Sequence, residues 1–183
     1  MRKSKLKLLN ELKMRLLEFP SIVDSLDKKD PAFIEKLLLW FKQCEASFTT
    51  HNISEVSELS GLRSKIIGCK FAAEKGLSVR KLQQRAASEV LYEVQQTVLN
   101  VVKPLELKVQ ESRGLIAQLL LIVADTGAVQ YNEADPFEMF INGLWQFMSA
   151  NEQLKPGVIQ LKTNLPPGDI QQLLAEELNL TDF

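Results

Sequence analysis

The sequence predicts an all-α fold, an irregular bundle of about seven or eight helices, and three observations support it. Apolar residues recur three and four positions apart along most of the 183 residues. Capping signals precede several of these segments, and proline or glycine follows others. No long linker interrupts the pattern, so we expect one helical domain over 1–183.

The first two predicted helices are marked by leucine spacing and by a strong start signal. Leucines recur at helical spacing over 5–19, and Pro20 should end that helix. Asp30-Pro31 combines a capping residue with a proline suited to the first helical position. The helix that follows, over 30–48, is apolar around much of its circumference, so we expect it to be central, with Trp40 in the core.

The next two predicted helices meet near the middle of the chain. A capping box at Asn52-Ile53-Ser54-Glu55 should open a helix to about Lys75. A second helix runs from Val79 to Lys103, where Pro104 should end it. Small residues spaced four apart on the first of these helices would let another helix come close. They are Ser60, Ser64, Gly68, Ala72 and Gly76.

Two further helices are expected in the second half of the chain. One covers 115–124 and should be stopped by Asp125-Thr126-Gly127. The other covers 135–149, opens with Asp135-Pro136 and should carry Trp145 into the core.

Two short segments alternate between apolar and polar residues, the pattern of a half-buried strand. They cover 105–109 and 158–163, and they could pair as a two-stranded β-ribbon. Runs of this length also fit a helix, so the ribbon is an optional part of the predicted fold.

The segment 167–183 predicts a short acidic helix, with Asp169 and Gln172 suited to a capping box. This helix could dock on a partner protein, or it could fold back onto its own domain as most terminal helices do. The apolar residues of its docking side are Ile170, Leu173, Leu174 and Leu178.

Charge is unevenly distributed along the chain, although the net charge is only −1. The segment 63–85 contains seven bases against Glu74, a local net of +6, and 2–15 has a net of +5. From Asp125 onward, nine acids face two lysines, a net of −7. Such asymmetry indicates either separate surfaces for different partners or charge pairing within the molecule.

The segment 72–88 resembles the general helix-turn-helix pattern over about twenty residues. Ala72, Gly76, Leu77 and Leu82 occupy the positions of the small residue under the corner, the glycine, and the two apolar residues that follow. The sequence departs from the pattern at Arg85, where a second apolar anchor is expected. Ordinary helix packing explains the same corner, because Gly76 suits the end of one helix and Ser78 suits the N-cap of the next.

The resemblance implies that the exposed side of the second helix would contact nucleic acid. Arg80, Lys81, Gln84 and Arg85 share the side opposite Leu82. Arginine and glutamine can read base edges, and lysine suits phosphate. These four residues are the candidate nucleic-acid contacts.

Residues that could carry catalysis or bind a metal are few. His51 is the only histidine and lies in the polar segment 49–52, which we expect to be a loop. Cys44 and Cys69 are far apart in the sequence. A structural zinc site needs four ligands of this kind, so we expect no metal and no cofactor. Phosphate-binding glycine loops are absent from the sequence, and we assign no catalytic residue.

The sequence therefore favours a non-catalytic cytoplasmic interaction protein, an adaptor or regulatory subunit that binds a protein partner through helical surfaces. The alternative is a nucleic-acid-binding protein that uses the basic 63–85 segment. Two isolated cysteines suit a reducing compartment. The longest apolar run, Leu119–Ala124, is much shorter than the roughly 20 residues of a membrane-spanning helix, so we expect no transmembrane segment.

Overall fold

The structure, a computed structural model, describes residues 2–71 and 78–183. Within these residues the fold is all-α, with 82% of them helical and no strand, which confirms the predicted fold class. Seven α-helices and two single 3-10 turns, Cys69–Phe71 and Leu180–Asp182, are found there. The helices are α1 (Lys5–Asp27), α2 (Phe33–His51), α3 (Val56–Gly68), α4 (Val79–Thr126), α5 (Phe137–Ala150), α6 (Lys155–Asn164) and α7 (Pro167–Glu177).

Two helices continue through a proline at which the sequence predicted an end. α1 contains Pro20 and extends to Asp27, while α4 contains Pro104 and joins the predicted helices 79–103 and 115–124 into one of 48 residues. Both prolines are exposed, so the carbonyl that loses its N–H partner at each lies on the solvent side of the helix. Packing of the buried residues on either side offsets a cost of about 3 kcal/mol per proline.

The optional β-ribbon is not formed, because 105–109 lie within α4 and 158–163 lie within α6. Burial in α6 follows the helical period, since Val158 and Leu161 are buried while Ile159 between them is 57% exposed. The prediction of a ribbon was wrong because so short an alternation fits the period of a helix as well as that of a strand.

Some helix starts differ from the predicted ones. The Asp30 carboxylate accepts a hydrogen bond from the N–H of Ala32 at 2.8 Å, in the turn that precedes α2. The capping box predicted at 52–55 is not formed, because the Ser54 hydroxyl donates to the carboxylate of Glu55 and no side chain caps α3. Local side-chain hydrogen bonds in the turns before α2 and α3 therefore replace the expected helix caps.

The line of small residues on α3 contacts α2 at Ser60, whose hydroxyl donates a hydrogen bond to the Glu45 carboxylate at 3.1 Å, and it is exposed further along. α3 ends at Gly68, before the predicted end near Lys75. Ser64 and Gly68 are exposed, and a Cβ added at Gly68 would meet no atom within 4 Å. Among the described members of this line, only Ser60 contacts another helix, and Ala72 and Gly76 lie outside the described residues.

The described chain divides into two compact units. The first unit comprises residues 7–71 and 78–104, and the second comprises 2–6 and 105–183. The divisions fall inside α1, between Leu6 and Lys7, and inside α4, between Pro104 and Leu105.

The core of the first unit is built around α2, as the sequence predicted. Trp40 is 2% exposed, and its ring centroid lies 5.0 Å from that of Phe19 on α1. α3 packs against the same helix. The fully buried residues of α2 are Phe33, Leu37, Phe41, Cys44 and Phe48.

The core of the second unit contains residues of α4, α5, α6 and α7. Ile116, Leu144, Met148 and Leu161 are fully buried there. Trp145 is only half-buried, so its predicted place in the core was wrong. The Lys162 ammonium instead lies 5.3 Å from the centroid of its ring, a cation–π contact at the surface.

Candidate functional site

The four candidate nucleic-acid contacts lie in the first two turns of α4, and we call them the α4 basic face. Arg80, Lys81 and Arg85 are exposed, while Gln84 is half-buried. The Ser78 hydroxyl accepts a hydrogen bond from the N–H of Lys81 at 3.4 Å, which is the capping role predicted for it. A capped helix start therefore presents three exposed cationic side chains.

The opposite side of this helix start is fixed against α3. Leu82, the predicted apolar anchor, is 7% exposed. Beside it, the buried Gln83 side chain donates a hydrogen bond to the backbone carbonyl of Ile66 at 3.4 Å, near the end of α3. Carbonyls in the last turn of a helix lack intrahelical partners, so this side chain stabilises the packing of the two helices. Sequence reasoning missed Gln83, because a polar residue next to a predicted anchor gives no separate signal.

The corner that suggested a helix-turn-helix falls on undescribed residues. Ala72, Gly76 and Leu77 lie outside the described part of the chain. The helix after the corner is described and is 48 residues long, and Arg85 is exposed where the pattern has an apolar anchor. The helix-turn-helix interpretation of this corner stays a prediction.

Several bases of the 63–85 segment already have carboxylate partners. Because each such pair neutralises a positive charge locally, the surface is less basic than the local net of +6 indicates. Among the described residues, Arg80 and Lys81 have no ion-pair partner. The pairs, with their N–O distances, are Arg63–Glu45 at 2.8 Å, Lys65–Glu93 at 3.7 Å and Arg85–Glu89 at 3.2 Å.

The charge of Arg80 at the start of α4 acts on Asp30, in the turn that precedes α2. The hydrogen bond from Lys36 at 2.7 Å is the main cause that lowers the pKa of Asp30, and the nearby charge of Arg80 lowers it further. Of the two lysines that precede Asp30, Lys28 pairs with Asp24 at 3.9 Å. Asp30 and Arg80 are about 50 residues apart, so the sequence alone gives no sign of this interaction.

The predicted docking residues of α7 are largely inside the second unit. Ile170, Leu173 and Leu174 are 0% exposed, and Leu178 is half-buried. α7 packs against α5 and α6, which cover these side chains. Docking of a partner through these four residues stays a prediction, and it requires α7 to leave α5 and α6.

The residues with catalytic or metal-binding potential are dispersed. His51 is the last residue of α2, not part of a loop, and its Nε2 has no hydrogen-bond partner among the described residues. Burial raises the pKa of the Cys44 thiol to about 12, whereas Cys69 is half-buried and its Sγ contacts the Lys65 carbonyl at 3.3 Å. Within 2–71 and 78–183, no cluster of three or more histidine, cysteine or carboxylate side chains is placed to hold a metal.

A groove of about 310 Å³ lies between α1 and α2, with Trp40 in its lining. Its charged side chains are engaged by one another or by close neighbours. Arg15 pairs with Glu18 at 2.7 Å, and Lys36 pairs with Asp30 at 2.7 Å. A charged ligand would have to break these ion pairs. The groove is therefore a weaker candidate for binding a charged ligand than the α4 basic face.

No protein-family model, curated protein or solved structure matches this chain. In the part of the chain that the structure describes, no helix combines the length and the apolar character needed to cross a bilayer. Among the described surfaces, the α4 basic face combines exposed cations with a capped helix start.

Proposed function

We propose that this chain is a non-catalytic interaction protein of the cytoplasm, an adaptor or regulatory subunit, whose main contact surface is the α4 basic face. One observation carries the proposal. Arg80 and Lys81 are exposed at a capped helix start and have no ion-pair partner among the described residues. Exposed cations on a helix whose opposite side packs against α3 suit an acidic segment of a protein partner.

The distribution of carboxylates favours a protein partner over nucleic acid. Exposed Glu89 and Glu93 lie on the same helix, one and two turns beyond Arg85. A polyanion gains affinity from several unpaired bases along its backbone, and carboxylates within that footprint oppose it. A short acidic peptide can contact Arg80 and Lys81 without reaching these carboxylates.

The experiment is a pulldown at low salt with the whole chain as bait, carried out with and without nuclease. The variant Arg80→Ala/Lys81→Ala should lose a partner that the unmodified chain retains in the presence of nuclease. The control Lys42→Ala/Lys103→Ala removes the same charge from exposed positions elsewhere in the first unit and should retain that partner. Equal loss with both variants, or no loss with either, would contradict the proposal.

Nucleic-acid binding is the second candidate, favoured by the position of Gln84 and Arg85 beside the two unpaired bases. Arginine and glutamine are effective readers of base edges. A mobility shift at low salt tests it, because binding through phosphate contacts weakens steeply as salt rises. No shift at low salt, or a shift unchanged by Arg80→Ala with Arg85→Ala, rejects this candidate.

The acidic helix α7 is a second contact surface under the proposed function. Its exposed side includes Gln172 and Glu176, and its apolar side is buried in the chain as described. Engagement of the apolar side by a partner would therefore be coupled to release of α7 from its own unit.

A further inference from the structure

Asp169 lies in the first turn of α7, but its carboxylate hydrogen-bonds to the start of α1. Its carboxylate is 3% exposed, and its Oδ2 accepts hydrogen bonds from the backbone N–H groups of Lys5 at 2.6 Å and Leu6 at 3.1 Å. These are the first two residues of α1, whose initial N–H groups have no acceptor within the helix. Asp169 thus acts as a negatively charged N-cap supplied from another part of the chain. α7 itself has no side-chain cap, so the capping box predicted from Asp169 and Gln172 is not formed.

Residues 2–6, which we call the strap, also bind the end of α6. The Lys5 ammonium donates a hydrogen bond to the carbonyl of Asn164 at 2.5 Å. The Arg2 guanidinium donates to the carbonyl of Lys162 at 2.7 Å. Cationic side chains stabilise the negative end of a helix, so the strap supports α6 while it receives support from α7.

The other end of α7 is tied to α4. The Arg113 guanidinium hydrogen-bonds to the carboxylates of both Glu176 and Glu177. The strap contacts lie at the start of α7, and this ion pair lies at its end. Between them lies the apolar side of α7, which is fully buried. That side comprises Ile170, Leu173 and Leu174.

We propose that the strap and α7 form one latch, which opens as a unit. When α7 leaves, the first N–H groups of α1 lose their acceptor; when the strap leaves, the buried Asp169 carboxylate loses its donors. Each half therefore loses charge-assisted hydrogen bonds when the other leaves, so the halves stabilise each other. This coupled opening is a property of the chain alone and does not depend on the proposed function.

Native-state hydrogen exchange measured residue by residue tests the coupling without a partner. In Asp169→Ala, the amides of Lys5 and Leu6 and those of Leu173 and Leu174 should all exchange faster, by about fivefold to thirtyfold, as expected for loss of a buried charged cap. The amides of α3 should not change. The control Glu133→Ala removes the same charge from an exposed loop position and should leave all of these amides unchanged.

Two outcomes would overturn the latch. Faster exchange at the start of α1 with no change in α7 would make Asp169 a local cap only. An equal acceleration in α3 would indicate general destabilisation. If Asp169→Ala does not fold, Arg2→Ala provides the same test from an exposed position. It should accelerate hydrogen exchange in α7 by a smaller factor. Unchanged exchange in α7 would reject the latch. Because the exchange experiment contains no partner, its failure would not affect the pulldown result. Failure of the pulldown would likewise not affect the exchange result.

Discussion

The indole N–H of Trp40 donates a hydrogen bond to the backbone carbonyl of Arg15, with Nε1 and O 2.8 Å apart. The bond joins α2 to α1 about one turn before Pro20, and the Trp40 ring also packs against Phe19. The largest core side chain of the first unit therefore has its polar atom satisfied by the neighbouring helix.

Trp40→Phe should lower the free energy of unfolding by about 2 kcal/mol, because the variant loses this hydrogen bond and part of a fully packed ring. Trp145→Phe is the matched control and should cost about 1 kcal/mol or less, since that ring is half-buried. Denaturant unfolding followed by circular dichroism measures both. Equal costs would show that Trp40 is not the centre of the first unit's core.

Leu173→Ala should lower the free energy of unfolding by about 2–5 kcal/mol, the usual cost of truncating a fully buried leucine. Leu178→Ala should cost about 1 kcal/mol or less, because Leu178 is half-buried at the end of α7. Thermal and denaturant unfolding check the difference. A stable Leu173→Ala variant would mean that α7 contributes little to its unit and is free to dock.

Some of the fold follows directly from the sequence. The Asp30-Pro31 signal and the apolar circumference of the next helix predicted α2 and its central Trp40. The Ser78 cap predicted the start of α4, and the Asp125-Thr126-Gly127 stop predicted its end. These features depend on neighbouring residues alone, which is why one sequence suffices to predict them.

Other features depend on contacts between distant residues. Trp145 follows the same kind of start signal as Trp40 but is only half-buried, because burial is decided by which helices cover a face. Asp169 looked like the cap of its own helix and instead caps α1, more than 160 residues away. The carboxylate partners of the 63–85 bases were equally hidden, so the sequence overstated the basic surface.

Arg113→Gln should raise the pKa of Glu176 toward its ordinary value. Hydrogen bonding from Gln172 is the largest single cause that lowers this pKa, and Arg113 lowers it through both a hydrogen bond and its charge, so Gln172→Ala should raise it as well. The stabilisation from a lowered carboxyl pKa is present above the ordinary value and is lost as pH falls through the folded one. Carboxyl-carbon NMR titration measures the shift. The change in stability should stay below about 1 kcal/mol because the pair is partly exposed.

Cys69 should react with a thiol reagent in the native protein, whereas Cys44 should not. Burial raises the pKa of Cys44 to about 12, so almost no thiolate forms at pH 8, and the side chain is inaccessible. Mass spectrometry should find one modified cysteine in the native chain and two after denaturation, and Cys69→Ser should abolish native labelling. A raised thiol pKa also means that stability falls as pH rises from the ordinary value of 9.0 toward 12. Native labelling of Cys44 at a rate close to that of Cys69 would contradict its burial in α2.

Glu89→Gln should strengthen binding to an acidic partner. In the unmodified chain the Glu89 carboxylate pairs with Arg85 at 3.2 Å on an exposed surface, which costs little to break but cancels one positive charge beside Arg80 and Lys81. Removing that negative charge should raise affinity a few-fold at low salt, and the gain should disappear as salt screens it.

The matched control is Glu35→Gln, which removes one exposed negative charge from α2 and should have a smaller effect. Titration of a fluorescent acidic peptide, with single-stranded DNA as a second probe, measures the change and separates the two partner classes. A larger gain for DNA would favour nucleic acid, because a polyanion has more to gain from each carboxylate removed from its path. No gain for either probe would mean that neither contacts the α4 basic face near Arg85.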